Sequence, residues 1–305
     1  SKKTVTCYTC SPTTMAASTT AVTVSYTEGG VTKTTTTPVT VTSISNTLAS
    51  NSWATIRAVS DAGKGSNYWS VGDAKGITIN GKVGATTISN LSISVFILGF
   101  NHNASREGNN RIHFQIGKIN GTLVGLVDGN YGNSTSTTGA FTMNTSYTNS
   151  GGWNNSHMRK TVLGSNSASA TSPAANTLLA ALPADLRAVM KPATKYSDNT
   201  GGGSDTASYV TSTTDLLPLL SEFEYHGARS YANSAEKNYQ AQYDYYKAGN
   251  SKVHYKHNAT GTAAYVWCRS VHSSNSHHFC LVYTDGGAAS SYASDSWALA
   301  PCFFV

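Results

Sequence analysis

Nine histidines are the side chains best suited to acid–base or metal chemistry, and five of them fall late in the chain: His254, His257, His272, His277 and His278. The spacing His254-x-x-His257 could bring two imidazoles together in a loop. A strand would not aim both at one ion, and no carboxylate or Cys completes a ligand set. His277 and His278 are adjacent, so on a strand they point to opposite faces. Earlier, His102 stands in Gly99-Phe-Asn-His-Asn103 and His113 in Arg111-Ile-His-Phe114. No Gly-x-Ser-x-Gly elbow, glycine-rich phosphate loop or HExxH helix accompanies them. Cysteines number five. Cys7-x-x-Cys10 lacks the second pair of a zinc finger. Cys280 and Cys302 sit among apolar residues as small buried hydrophobes do. The expectation is therefore no catalytic set, no resident metal, no cofactor and no disulfide.

The last forty residues have a different character. An apolar frame (Trp267, Phe279, Leu281, Leu299, Phe303, Phe304) alternates with short polar residues rich in Ser, His, Asn, Asp and Tyr. The frame reads as strands, and the filling has the vocabulary of an adaptable binding surface. Ordinary Ser/Gly/Asn turns between strands would look similar. Composition separates the segment further: fourteen Lys, five Glu, three Gln and four Met occur in residues 1–256, and none in 257–305. Codons ending in a pyrimidine cannot encode those four residues or Trp, so a surface diversified by scrambling the first two bases of such codons would lack them.

Elements must hold these residues in place. Strict alternation in Val22–Tyr26 and again in Val31–Val41, around Glu28-Gly29-Gly30, predicts a β-hairpin. Helices are expected at Ser52–Ala62, with Ser52 as cap and Gly63 as stop, near Pro183–Met190, and at Ala235–Ala248, where Tyr239, Tyr243 and Tyr246 would share one face. Ile77–Ile79 and Leu123–Val127 read as strands, and the apolar run Ile93–Phe100 as a buried central one. Residues 133–138, 165–172 and 197–206 are polar loops. A mixed order with few helices gives an α+β class.

Charged residues make up 12% of the 305 residues, and the formal net charge is +6. Basic residues are scattered, so no nucleic-acid partner is expected. No apolar run approaches the length of a membrane span. The chain begins Ser-Lys-Lys-Thr inside a Thr-rich pattern without an apolar signal region, which reads as part of a longer chain.

The segment Trp267-Cys-Arg-Ser, Phe279-Cys-Leu-Val, Gly286 and Ala298-Leu-Ala-Pro-Cys-Phe-Phe-Val305 resembles the C-terminus of phage tail and bacterial surface proteins diversified by retroelements. Upstream the likeness continues in Trp53-Ala-Thr-Ile, Asn67-Tyr-Trp-Ser-Val-Gly-Asp73, Phe96-Ile-Leu-Gly-Phe-Asn-His102, Arg111-Ile-His-Phe-Gln115, Leu182-Pro-Ala-Asp-Leu-Arg187 and Leu219-Leu-Ser-Glu-Phe-Glu224. It covers roughly residues 46–305. Residues 1–45 look like part of a bacterial immunoglobulin-like module. The resemblance implies a C-type-lectin-like ligand-binding domain with a variable region of about 265–297. The surface residues expected there are Cys268, His272, Ser274, Asn275, His277 and His278, then Tyr283, Asp285, Ala288, Ser290, Ser291 and Tyr292, and finally Ser294, Asp295 and Trp297. Trp267 and Trp297 are both unreachable by pyrimidine-ending codons: Trp267 belongs to the frame, and Trp297 stands at the boundary of the variable region. The implied partner is a bacterial cell-surface receptor, protein or glycan. Other tail or surface proteins would meet the N-terminal segment, and a homo-oligomer is compatible. The location would be a virion tail or a bacterial surface. Two other readings stay open here: an enzyme, glycan-active or cysteine-dependent like the formylglycine-generating enzymes that share the fold, and a purely structural tail component.

Overall fold

A computed structural model describes residues 18–41, 43–134 and 137–305; Cys7 and Cys10 lie outside the described residues. The chain divides into two units, the first ending at Asn46 and the second starting at Thr47.

The first unit holds strands β1 (Ser18–Glu28) and β2 (Val31–Val41), paired antiparallel from Ser18↔Val41 to Glu28↔Val31. Gly29 and Gly30 join them at φ 60° and 79°. Two left-handed residues make the hairpin turn whose twist matches that of the flanking strands, and glycine adopts it without a Cβ penalty.

The second unit is α+β, mostly strands with short helices. Its longest helix, Trp53–Asp61, starts where expected: Ser52 Oγ accepts from Thr55 N at 3.1 Å. Trp53, Ile56 and Val59 are its buried apolar face. Strands β3 (Ala74–Val83), β4 (Thr86–Phe100), β5 (Ile112–Ile119) and β6 (Thr122–Gly125) follow. Next come β7 (Ala193–Asp198) and β8 (Val210–Asp215), which form a two-stranded sheet. The C-terminal third supplies β9 (His254–Lys256), β10 (Ala259–Ala264), β11 (Val266–Val271), β12 (His278–Val282), β13 (Ala288–Tyr292) and β14 (Cys302–Phe304).

The large sheet has seven strands in the order β10-β9-β6-β5-β4-β3, with β14 also paired to β5. β4 lies inside it, and Val95, Phe96, Ile97 and Leu98 are fully buried, which accounts for the unbroken apolar run. The sheet β11-β12-β13 is separate. Val266, Cys268, Cys280 and Val282 turn one face of it into a core shared with Phe96, Tyr225, Tyr243 and Phe304. Trp267, Arg269, Phe279 and Leu281 alternate onto the other face and are buried too.

One expected element does not form. In place of a helix over Ala235–Ala248 there is a 3-10 turn at Ser234–Asn238 and a single helical turn at Asp244–Lys247. Gln240 interrupts them: its Nε2 donates to Tyr196 O at 2.7 Å, and its Oε1 accepts from Ser221 Oγ at 2.7 Å. Tyr239 stacks on Tyr196, whereas Tyr243 stacks on His102. The tyrosines therefore serve different partners rather than one helix face. The helix near Pro183–Met190 is also shorter, Ala184–Arg187, with Pro183 preceding it.

Candidate ligand-binding surface

Strands β11, β12 and β13 carry the segment singled out in the sequence, and two loops shape its ends. Between β11 and β12, Ser274 N donates to His272 Nδ1 at 3.1 Å, and His277 N donates to Asn275 Oδ1 at 2.8 Å. The second contact is an Asx turn, the local bond for which Asn suits loops. Asn149, fully buried, braces this loop from outside: its Nδ2 donates to Asn275 O at 2.8 Å and to His278 O at 2.9 Å. Between β12 and β13, Tyr283 N donates to Gly287 O at 2.8 Å, and Gly286 takes φ 86°. Gly287 N donates to Asp285 Oδ1 at 2.8 Å.

The loop ends gather aromatic rings into two ribbons. At the β11–β12 end, Tyr231 meets His272 at 5.2 Å between ring centroids, and His272 meets His278 at 6.0 Å. His278 then packs edge-on against Tyr292 at 4.5 Å, Tyr292 meets Tyr147 at 4.4 Å, and Tyr147 meets His277 at 4.3 Å. At the β12–β13 end, Tyr283 meets Tyr265 at 4.8 Å, Tyr265 meets Trp297 at 4.6 Å, and Trp297 meets Tyr131 at 5.2 Å. Lys256 Nζ caps Tyr131 at 4.1 Å. Tyr147, Tyr283 and Tyr292 are 47%, 42% and 41% exposed, among the most exposed large apolar side chains described.

Burial disfavours the charged forms of two of the histidines. Burial first, and then the neighbouring His278, lowers the pKa of His272. Burial likewise lowers His278, against the pull of Asp295. The Tyr147 phenol is pushed up to about 12 by its hydrogen bond with Tyr292, and Tyr265 to about 12 by its bond with Tyr283. Short polar groups lie alongside: His278 Nδ1 is 3.0 Å from Ser290 Oγ, and Ser291 Oγ donates to Asp295 Oδ2 at 2.5 Å. The single Arg or Lys of residues 257–305, Arg269, is fully buried.

Ser274, Tyr283, Asp285 and Tyr292 are exposed, and His272, Asn275, His277, His278, Ala288, Ser290, Ser291, Asp295 and Trp297 are partly so. Two expected surface residues are not at the surface. Cys268 is 0% exposed, because its position on β11 alternates inward to the core with Val266 and Cys280. Ser294 is buried, its Oγ 3.3 Å from Ser134 Oγ. Sequence reasoning missed Tyr131, Tyr147, Tyr231 and the brace Asn149, which come from distant loops; Tyr265 was covered only as the start of the variable region.

The other chemistry-bearing residues form a buried cluster behind this sheet. Arg269 holds Glu224 through its two terminal guanidinium nitrogens, one at 2.9 Å. Lys195 Nζ lies 2.5 Å from Glu107 Oε2, 3.0 Å from Glu224 Oε1 and 3.0 Å from Tyr243 OH. His102, Glu107 and Glu224 offer ligand atoms within 4.8 Å of one another, the spacing of a metal site. The Lys195 ammonium stands between the two carboxylates, and with Arg269 it already balances their charge. Burial alone would raise Glu224, but Arg269 and Lys195 hold it well below the usual carboxylate range. Burial, and then Lys195, drives His102 down to about 3. Burial raises the thiols of Cys268 and Cys280 well above their ordinary value and that of Cys302 to about 12, so none is a ready nucleophile. His254 and His257 do not converge: His254 Nδ1 faces Lys252 O at 2.8 Å, and His257 Nδ1 accepts from Val127 N at 3.1 Å. Among the described residues no helix is long and apolar enough to cross a membrane.

No curated protein and no solved structure matches the chain. One family does, a domain of unknown function designated DUF6273, over residues 134–305. That range takes in β11–β13, Asn149 and every ring of the two ribbons except Tyr131. It spans more than half of the chain, and the protein belongs to the DUF6273 family.

Proposed function

We propose that the protein is a non-enzymatic receptor-binding protein, placed at a phage tail-fibre tip or on a bacterial surface, with a C-type-lectin-like scaffold and a C-terminal surface diversified by a retroelement. One observation carries the reading. The histidines and tyrosines between Tyr265 and Tyr292 of the Lys-, Glu-, Gln- and Met-free segment join two partly solvent-exposed aromatic ribbons, while Trp267, Phe279, Leu281, Leu299, Phe303 and Phe304 are buried as a separate frame. Tyrosine and histidine rings offer rigid amphipathic area, and Ser, Asn and Asp beside them offer donors and acceptors. Exposed substitutions usually change stability by about 0.5 kcal/mol or less, so such a surface can vary without unfolding. The buried, protonated thiols argue against the alternative reading as a cysteine-dependent oxidase.

The test is to scramble residues 271–278 and 288–296 while keeping the buried Val271, Ser273, Ala293, Ser294 and Ser296. The melting temperature is expected to stay within about 4 °C, a shift worth about 1 kcal/mol or less. Binding to cells that the unaltered protein coats is expected to disappear. Retained binding would refute the assignment of the surface.

A further inference from the structure

Strand β13 is the outer strand of its sheet, and its hydrogen-bond phase follows from two contacts. Ala293 N donates to His277 O at 2.8 Å, and Tyr283 N donates to Gly287 O at 2.8 Å. With the register Phe279↔Ser291 and Leu281↔Ala289 between them, those are the pairs that exchange bonds with β12. The peptide groups of Ala288 and Ser290 therefore point away from β12. Among the described residues, neither backbone N–H nor either carbonyl has a protein partner.

Proteins usually blunt such an edge with a Lys, a Pro or a bulge. The outer strand β3 carries Lys75 and Lys82, and the outer strand β10 has a register irregularity between Ala259 and Ala263. β13 reads Ala-Ala-Ser-Ser-Tyr, without charge or proline, and pairs in unbroken register. Its five residues span roughly 17 Å. Exposed Tyr283 stands just before one end and exposed Tyr292 at the other, each leading into its own ring ribbon.

The geometry points to β13 as a docking edge that takes an extended segment of a partner protein as a fourth strand. This inference rests on the binding-surface reading and specifies how the surface engages. The outward N–H and C=O of Ala288 and Ser290 repeat at the two-residue spacing of a polypeptide ladder, which a glycan does not present. Main-chain bonds also suit a surface whose side chains vary, because substitution leaves them intact. Charge narrows the partner further: Asp285 and Asp295 are the acids beside the rings, and the segment adds no exposed Lys or Arg. Arg or Lys residues flanking the docked strand would meet these carboxylates and the tyrosine faces.

The experiment compares Ser290→Pro with Ser290→Ala in the full chain. Both lose the hydroxyl contact with His278, but only proline removes the outward N–H, at an edge position where a sheet tolerates it. The probe is a library of linear twelve-residue peptides displayed on phage and panned on the immobilised protein. Recovered peptides are then synthesised and titrated. S290P is expected to bind about tenfold or more weakly than S290A at an equal melting temperature, about 1.4 kcal/mol of affinity or more. The Ser290 amide of the unaltered chain is expected to exchange with deuterium more slowly in the complex. That measurement decides the matter alone if S290P fails to fold. Equal binding by S290P and S290A, or unchanged Ser290 exchange, overturns the inference, as does failure to recover any peptide. Self-association lost in S290P overturns the partner assignment in favour of a second copy. Peptides indifferent to Tyr283→Ala and Tyr292→Ala would instead refute the binding-surface reading itself.

Discussion

Imidazole and phenol rings give the surface its chemical character. His272 and His278 offer ring faces and single hydrogen bonds rather than charge, because partial burial disfavours their protonated forms. Behind them Glu236 carries a different signature. Its Oε2 accepts from Ser270 Oγ on β11 at 2.6 Å, its Oε1 accepts from Asp198 N at 2.9 Å, and burial pushes its pKa up to about 7. A carboxyl whose folded pKa exceeds the unfolded value of 4.5 stabilises the fold fully at or below 4.5. That contribution fades as pH rises through 7. Denaturant titrations between pH 4.5 and 8 should therefore show Glu236→Gln gaining on the unaltered protein as pH rises, by on the order of a few kcal/mol. A difference independent of pH would contradict the assignment.

The β11–β12 loop depends on a brace from outside its own segment. Asn149→Ala should remove the two N–H bonds to Asn275 O and His278 O, and cost about 1 kcal/mol because these part-buried carbonyls lose a side-chain donor. Amide exchange in residues 272–277 should rise more than in β4, and equal protection in the variant would count against the brace. That brace was not legible in the sequence, since nothing local marks one Asn in a polar loop. The helix Trp53–Asp61 and the Gly29-Gly30 hairpin were legible, because a cap with an apolar face and a paired-glycine turn are local signals. Residues 235–248 misled for the same reason: a capping start and spaced tyrosines satisfy helix rules locally, but Gln240 and the Tyr239 and Tyr243 stacks are fixed by distant partners. The Cys268 misplacement has a tertiary cause: β11 is buried on both faces, so no position on it reaches solvent, and Cys268 packs into the core with Val266 and Cys280.

At the scale of the whole molecule, the seven-stranded sheet, the buried Arg269–Glu224–Lys195 cluster and the core beneath β11–β13 form a frame that the exposed residues do not help to hold. The ribbons draw on five separate stretches of chain, around Tyr131, Tyr147, Tyr231, Tyr265–Tyr283 and Tyr292–Trp297. Only the last two fall in the segment whose composition stands out. Composition could therefore locate the surface but not complete it. The central claim is that frame and surface are energetically separable. A displayed library randomised with pyrimidine-ending codons at His272, Ser274, Asn275, His277, Tyr283, Asp285, Ser291 and Tyr292, challenged with protease, tests it most directly. Most members should survive as well as the unaltered chain, while a matched library at Trp267, Cys268, Phe279, Cys280 and Leu281 should be largely digested. Equal digestion of the two libraries would contradict the account.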